Sequence, residues 1–144
     1  MSVAIRRINP ASILAPSGNI YSHGVEIPAG ARVLYIAGQV GMDRAGNTPE
    51  STEAQLALAW NNIRAVLAEA GMTFRDLVKV TCFLKDPQYV TAYAKSVVKF
   101  LGLGEEDLKS RPAMTAPIVK QLWQAEFHVE IEAIAAKVDK PDGA

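Results

Sequence analysis

FHVEIEAIA, residues 127–135, places polar side chains at every second position, and these are His128, Glu130 and Glu132. Apolar side chains fill most of the positions between and beyond them. In an extended strand this spacing sends the apolar set to one face and the polar set to the other. The stretch therefore predicts a strand with one buried face, and it leaves open whether a glutamate on the other face is only solvated or is catalytic.

Five more stretches predict strands, because each is short and rich in apolar residues and lies near turn residues. In chain order they are residues 2–9, 23–27, 32–40, 77–85 and 111–119. The turn PAGA joins the second of these to the third. Alternation within 77–85 places Cys82 on the same face as two valines, which predicts an inert thiol in the core.

Two stretches predict amphipathic helices. The first has apolar residues at helical spacing, a predicted cap at Thr48 and a stop signal at Gly71. The second begins with the pair Asp86 and Pro87, which repeats the cap-and-proline signal, and is expected to end near Phe100.

The order of elements is three strands, a helix, a strand, a helix and two strands. Amphipathic helices and one-sided strands predict an α+β fold, a mixed sheet of about six strands with both helices on one face. The other sheet face would carry Tyr35, Phe83 and Ile134 among its polar residues, which is too much apolar surface to leave in water. We therefore expect self-association through that face.

The composition is that of an ordinary folded protein. The 144 residues are 49% hydrophobic and 21% charged, with fifteen basic and fifteen acidic side chains. The length predicts one domain over residues 1–144, and the balanced charge disfavours a nucleic-acid partner. The chain shows neither a signal peptide nor a stretch apolar enough to span a membrane, so we expect a cytoplasmic protein with no membrane partner.

The histidines and the single cysteine give no pattern of metal ligands. With only His23, His128 and Cys82 available, a structural metal site is disfavoured. Each histidine is expected at a polar surface or an interface. The closing residues KPDGA, 140–144, are expected to be a loose tail.

Six motifs, taken in order, resemble the RidA family of reactive intermediate deaminases, also called YjgF-like proteins. They are IYSHGV at 20–25, AGQVGMDRAGN at 37–47, QLALAWNNI at 55–63, VKVTCFLKD at 78–86, RPAMTAP at 111–117 and VEIEAIA at 129–135. No single motif is specific to the family, whereas their order and spacing together are. The resemblance extends over nearly the whole chain.

The resemblance implies a chorismate-mutase-like (YjgF-like) domain that assembles as a homotrimer, with the sheets forming a central barrel and ligand clefts between subunits. It also implies hydrolysis of enamines and imines, such as 2-aminoacrylate, to 2-keto acids and ammonia, with no metal or organic cofactor. In the family an arginine grips the substrate carboxylate, and a glutamate positions or activates the hydrolytic water.

Carried over by motif, the family's glutamate falls on Glu130 and its cleft tyrosine falls on Tyr21. The arginine position falls on Met114, so the carboxylate clamp is missing. Tyr93 stands where the family's second helix usually offers an asparagine to the neighbouring cleft. The remaining cleft positions implied by the motifs are Ala37, Gly38, Thr115 and Ala116. The predicted cleft is more apolar than the family's, which suits a less charged or bulkier ligand.

Two function classes remain. The first is a RidA-like hydrolase of a reactive imine, enamine or related small amine, with altered substrate preference because of Met114. The alternative is a non-catalytic trimer that binds a small metabolite or acts as a regulator. Glu130 and Tyr21 favour the first, and the missing arginine favours the second. Ribonuclease activity, attached to the family by name, is disfavoured by the neutral charge and the lack of a basic, aromatic-rich stripe.

Overall fold

The computed structural model describes residues 4–102 and 110–140. Six strands and two α-helices occupy these residues, in the predicted order. They are β1 (Arg6–Ile8), β2 (Gly24–Glu26), β3 (Arg32–Val40), α1 (Thr52–Glu69), β4 (Leu77–Leu84), α2 (Val90–Leu101), β5 (Ala113–Thr115) and β6 (Val129–Lys137). Residues 2 and 3 of the first predicted strand lie outside the described residues, as does the predicted tail beyond Lys140.

The six strands form two sheets instead of the single sheet expected from the sequence. The main sheet has the order β3-β6-β4-β5, with β6 antiparallel to both neighbours and β5 parallel to β4. Strands β1 and β2 form a separate antiparallel pair. Ser22, just before β2, bridges to Ala113 on β5, so the small sheet adjoins the β5 edge of the large one.

Strand β5 is only three residues long, although residues 111–119 were predicted to be extended throughout. Pro112 and Pro117 flank it, and proline cannot donate a backbone hydrogen bond to a sheet ladder. The chain nevertheless returns to β4 further on, because the Leu84 amide donates to the Pro117 carbonyl and the Val119 amide donates to the Leu84 carbonyl.

The helix boundaries agree with the sequence signals except at the first cap. The Ser51 hydroxyl, not that of Thr48, accepts the Ala54 amide at the start of α1, so the predicted cap was wrong by three residues. Gly71 has a φ of 68°, as expected of a residue that follows a helix end. Asp86 accepts the Gln88 amide as predicted, at the start of a 3-10 turn that leads into α2.

Both helices pack on one face of the main sheet, as the sequence predicts. The shared core contains buried side chains from α1, α2, β4 and β6, among them Leu56, Trp60, Ile63, Val80, Val97 and Ile131. The Trp60 indole donates to the buried Ser96 hydroxyl, which joins the two helices. Cys82 is fully buried, so its predicted place in the core is confirmed, and burial raises the pKa of its thiol.

The other face of the sheet is uncovered in a single chain. Tyr35 is 76% exposed on this open face, and Phe83 and Ile134 are partly exposed beside it. The described helices include none long and apolar enough to cross a membrane.

Candidate functional site

Glu130 lies near the start of β6 on the open sheet face. It is paired across the ladders with Val40 on β3 and Phe83 on β4, so the three side chains share that face. Glu130 is partly buried, whereas Glu132, two residues along the same strand, is exposed. The two glutamates that look alike in the sequence therefore have different surroundings.

A β-bulge beside Glu130 makes room for its carboxylate. Pairing between β3 and β6 shifts register between Ile36 and Gln39, which leaves Ala37 and Gly38 as the irregular positions. A Cβ atom on Gly38 would lie 2.1 Å from Oε1 of Glu130 and 3.0 Å from its Cγ. The Glu130 side chain therefore occupies space that only a glycine at residue 38 leaves open.

A groove of about 600 Å³ lies above Glu130. The other side chains that line it are Phe83, Val119, Gln121, Leu122 and Trp123. Trp123 is 88% exposed. The sequence patterns did not predict these residues, although an isolated tryptophan within the polar stretch KQLWQAE was a signal for an exposed aromatic side chain.

The segment that carries Trp123 is fixed at both ends. At its start, the backbone of Pro117 and Val119 is hydrogen-bonded to Leu84 at the end of β4. At its far end, the buried Phe127 amide donates to the Gln124 carbonyl in a turn. The groove wall is therefore held by the main sheet.

The side chain of Gln55 on α1 holds the same segment through hydrogen bonds. Its side chain is 1% exposed and makes three hydrogen bonds. Nε2 donates to the carbonyls of Pro49 and Glu126, each at 2.9 Å, and Oε1 accepts the His128 amide at 2.8 Å. These bonds join the start of α1 to the entry into β6. A buried amide with every contact made in this way favours one conformation of the segment.

His128 does not share the open face with Glu130, contrary to the alternation of the sequence. It precedes β6, and its Nδ1 is 2.9 Å from the Thr52 hydroxyl while its ring stacks on Tyr89 at 4.5 Å. Partial burial, assisted by the charge of Lys85, lowers the pKa of His128. His128 is partly exposed, as predicted for a surface histidine, and it also contacts Thr52 and Tyr89 on the helix side of the sheet.

Tyr21 lies at the other side of the sheet, beyond the β5 edge. The Ser22 amide donates to the Pro112 carbonyl, and the Ser22 hydroxyl donates to the Arg111 carbonyl, which fixes the segment next to β5. The Tyr21 hydroxyl accepts the Ser17 amide at 3.3 Å, and its ring makes an edge contact with His23.

Within one chain Met114 packs on the helix side of the sheet, and its place in a cleft between subunits stays a prediction. It is the register partner of Val80, whose side chain is in the core, and side chains directly opposite one another share a face. Its sulfur accepts a weak hydrogen bond from the Tyr93 hydroxyl at 4.0 Å. Tyr93 is 5% exposed within one chain, and its contribution to a neighbouring cleft stays a prediction.

Thr115 and Ala116, the two residues that follow Met114, are exposed. The Thr115 hydroxyl accepts from Lys79 Nζ at 2.7 Å, on the sheet face opposite to Met114. Ala116 is exposed just beyond the end of β5. The part of the chain described in the structure has no group of three or more His, Cys, Asp or Glu side chains that could hold a metal ion.

Within one chain the predicted site residues thus form two groups. Glu130, Ala37 and Gly38 lie at β3 and β6, whereas Tyr21 and residues 114–116 lie at β5. Strand β4 separates β6 from β5, which places the groups about 10 Å apart across the sheet, with a further offset of about 10 Å along it. A single chain does not bring them together.

The model of the family described as endoribonuclease L-PSP matches residues 12–137. The chain belongs to this family. The RutC family protein of Aquifex aeolicus is 31% identical over 140 residues, which cover 92% of this chain and all of that protein. The 2-iminobutanoate/2-iminopropanoate deaminase of Escherichia coli is 27% identical over 138 residues, covering 95% and 99% of the two chains.

Solved structures agree with this L-PSP family assignment. A Rid family protein of unknown function from Yersinia pestis, YyfB, superposes with a TM-score of 0.80 at 28% identity, covering 92% of this chain and 98% of that one. The resemblance to the RidA, or YjgF-like, family and the α+β fold expected from it are therefore confirmed.

Proposed function

We propose that the protein is a hydrolase of a reactive imine or enamine, with Glu130 as the catalytic carboxylate. The observation that supports this proposal is the placement of the Glu130 carboxylate against Gly38, among the residues that line a groove on the open sheet face. The likeness to a protein named 2-iminobutanoate/2-iminopropanoate deaminase supports the same class of reaction.

The reaction needs one group that handles protons and no redox change. Water adds to the carbon of the C=N bond while a carboxylate accepts one of its protons. Glu130 passes that proton to the nitrogen, which gives a carbinolamine. The carboxylate then takes the proton of the new hydroxyl group and passes it to the nitrogen, so the C–N bond breaks, ammonia leaves and the carbon–oxygen double bond forms. Imine and water thus give a carbonyl compound and ammonia, and Glu130 ends in the form in which it began.

The proposed active assembly is a homotrimer with its clefts between subunits. The separation of the Glu130 group from the Tyr21 group supports this, because a second copy could place its β5 edge opposite the first copy's β6. Exposure of Tyr35 on the open face supports it as well, since an apolar ring on an uncovered sheet favours association.

The alternative function is non-catalytic binding of a small metabolite by the same trimer. The specific observation in its favour is Met114, which packs against Tyr93 and offers no positive charge for a substrate carboxylate. A charge-assisted hydrogen bond contributes roughly 1.5–3 kcal/mol, and a thioether supplies none of it.

Exchange of Glu130 for glutamine tests the proposal against this alternative. Glu130→Gln keeps the size of the side chain but removes the group that accepts a proton, so we expect kcat/KM for imine hydrolysis to fall to background. The matched control is Glu132→Gln, about 7 Å along the same strand face, which we expect to stay within about threefold of the unmodified protein. Equal losses of activity in the two variants, or an active Glu130→Gln protein, would contradict the catalytic role of Glu130 and favour the non-catalytic binding function.

The standard family substrate gives a second test. Because position 114 is a methionine, we expect slow or undetectable hydrolysis of 2-iminopropanoate generated in a coupled assay. A rate equal to that of the Escherichia coli deaminase measured alongside would show that this protein does not need the arginine.

A further inference from the structure

The groove above Glu130 has an unusual combination of side chains for a site that would take an anion. One carboxylate lies beside two aromatic rings, Phe83 and Trp123, and two aliphatic side chains, Val119 and Leu122. Among the described residues of one chain, no lysine or arginine lines the groove. Its charge and its aromatic faces both attract a cation.

Trp123 is held in the open and not folded onto its own chain. It is 88% exposed, although the segment that carries it is fixed to Leu84 at one end and to Gln55 at the other. A large exposed aromatic ring beside a groove gains free energy when an apolar ligand covers it, at about 25 cal/mol per Å² of buried apolar surface.

We propose that the groove binds the protonated imine of an aldehyde that carries an aromatic group, so that the substrate is an arylalkyl iminium ion without a carboxylate. This deepens the proposed function and rests on it. The cationic nitrogen would face Glu130, and the aromatic group would stack on Trp123. The step is R–CH=NH₂⁺ plus water giving R–CHO plus NH₄⁺, in which a C–N bond breaks, a C–O double bond forms, and charge and atoms balance.

The same features disfavour a 2-imino acid in this groove. Within one chain no described lysine or arginine lines the groove between such a carboxylate and Glu130, and like charges at short distance repel. A protonated imine without a carboxylate meets the opposite sign at Glu130. The substrate class therefore follows from charge complementarity and not from the size of the groove.

A stable cation of the same shape tests binding without catalysis. Calorimetric titration of the whole protein with 2-phenylethylammonium chloride should give saturable binding, and Trp123→Ala should raise its Kd at least about tenfold. Trp123→Phe should restore most of the affinity because it keeps an aromatic face. The matched control is Val98→Ala, an exposed apolar residue on α2 outside the groove, which should leave Kd unchanged. Equal affinity for the unmodified and Trp123→Ala proteins would overturn the proposal.

Substrate selectivity separates failure of this inference from failure of the proposed function. The imine of phenylacetaldehyde, made from 2-phenylethylamine by an amine oxidase, is compared with 2-iminopropanoate. We expect Trp123→Ala to lower kcat/KM for the aromatic imine at least about tenfold and for 2-iminopropanoate less than twofold. If Glu130→Gln abolishes turnover while Trp123→Ala leaves the ratio of the two rates unchanged, the hydrolase stands and the aromatic substrate class is wrong.

A sizing column on Trp123→Ala completes the test. Unchanged elution with weaker binding of the cation supports the groove as a ligand site. A Trp123→Ala protein that elutes as a smaller species would make the ring a contact between copies, and this would overturn the proposal.

Discussion

Gly38 is the single residue on which the position of the Glu130 carboxylate most directly depends. An alanine there would place its Cβ 2.1 Å from Oε1, so the carboxylate has to move. Displacement of a catalytic group by about 1 Å can lower a rate by roughly a hundredfold. We expect Gly38→Ala to lower kcat/KM for imine hydrolysis by about that factor, with KM less affected.

The control for this prediction is Gly24→Ala. A Cβ at Gly24 would meet Ile8 at 3.7 Å, which is an ordinary contact, and the residue lies in β2, away from the groove. Circular dichroism should show both variants folded. Full activity of Gly38→Ala would mean that Glu130 tolerates another conformation and is not held by the bulge.

Glu130 and His128 show what sequence alone could establish about single residues. The motif VEIEAIA placed Glu130 on the correct strand face, because alternation is a local property. His128 has the same parity but turns toward Thr52 and Tyr89, since β6 begins only after it. No pattern in the sequence pairs residue 128 with residue 52, and none shows that the exposed Trp123 lies beside Phe83 and Glu130.

The side chain of Gln55 joins two elements, because its hydrogen bonds connect α1 to the segment that precedes β6. Gln55→Met keeps the volume of the side chain but leaves two carbonyls and an amide without their partner. We expect a loss of about 2–4 kcal/mol in the free energy of unfolding, because several buried polar groups lose hydrogen bonds at once.

Urea unfolding followed by circular dichroism measures the effect of Gln55→Met. The matched control is Gln88→Met on the exposed side of the turn before α2, where we expect a change within about 0.5 kcal/mol. A Gln55→Met protein as stable as the control would mean that water satisfies these groups in place of the glutamine.

The sequence predicted the order and type of the helices and strands, but it did not predict which strands pair with one another. The cap predicted at Asp86 is present in the structure. The cap predicted at Thr48 is instead made by Ser51, which offers an equally good hydroxyl next to the first residue of α1. The division of six strands into two sheets had no local signal, since strand pairing depends on contacts between distant residues.

The whole molecule is expected to be larger than one chain. Tyr35, Phe83 and Ile134 on the open face, together with the two separated groups of site residues, favour a trimer. Light scattering at micromolar concentration should give three times the 15.5 kDa of the chain. A stable monomer at that concentration would contradict both the assembly and the shared cleft.

The position of β6 between β3 and β4 has a consequence for synthesis. The other described strands and both described helices precede β6 in the chain. Strands β3 and β4 are joined only through β6, so they cannot form one sheet until β6 has been synthesised. While the ribosome is still adding residue 128, both strands keep open edges, which are prone to pair with other chains. The main sheet can therefore close only after β6 has emerged.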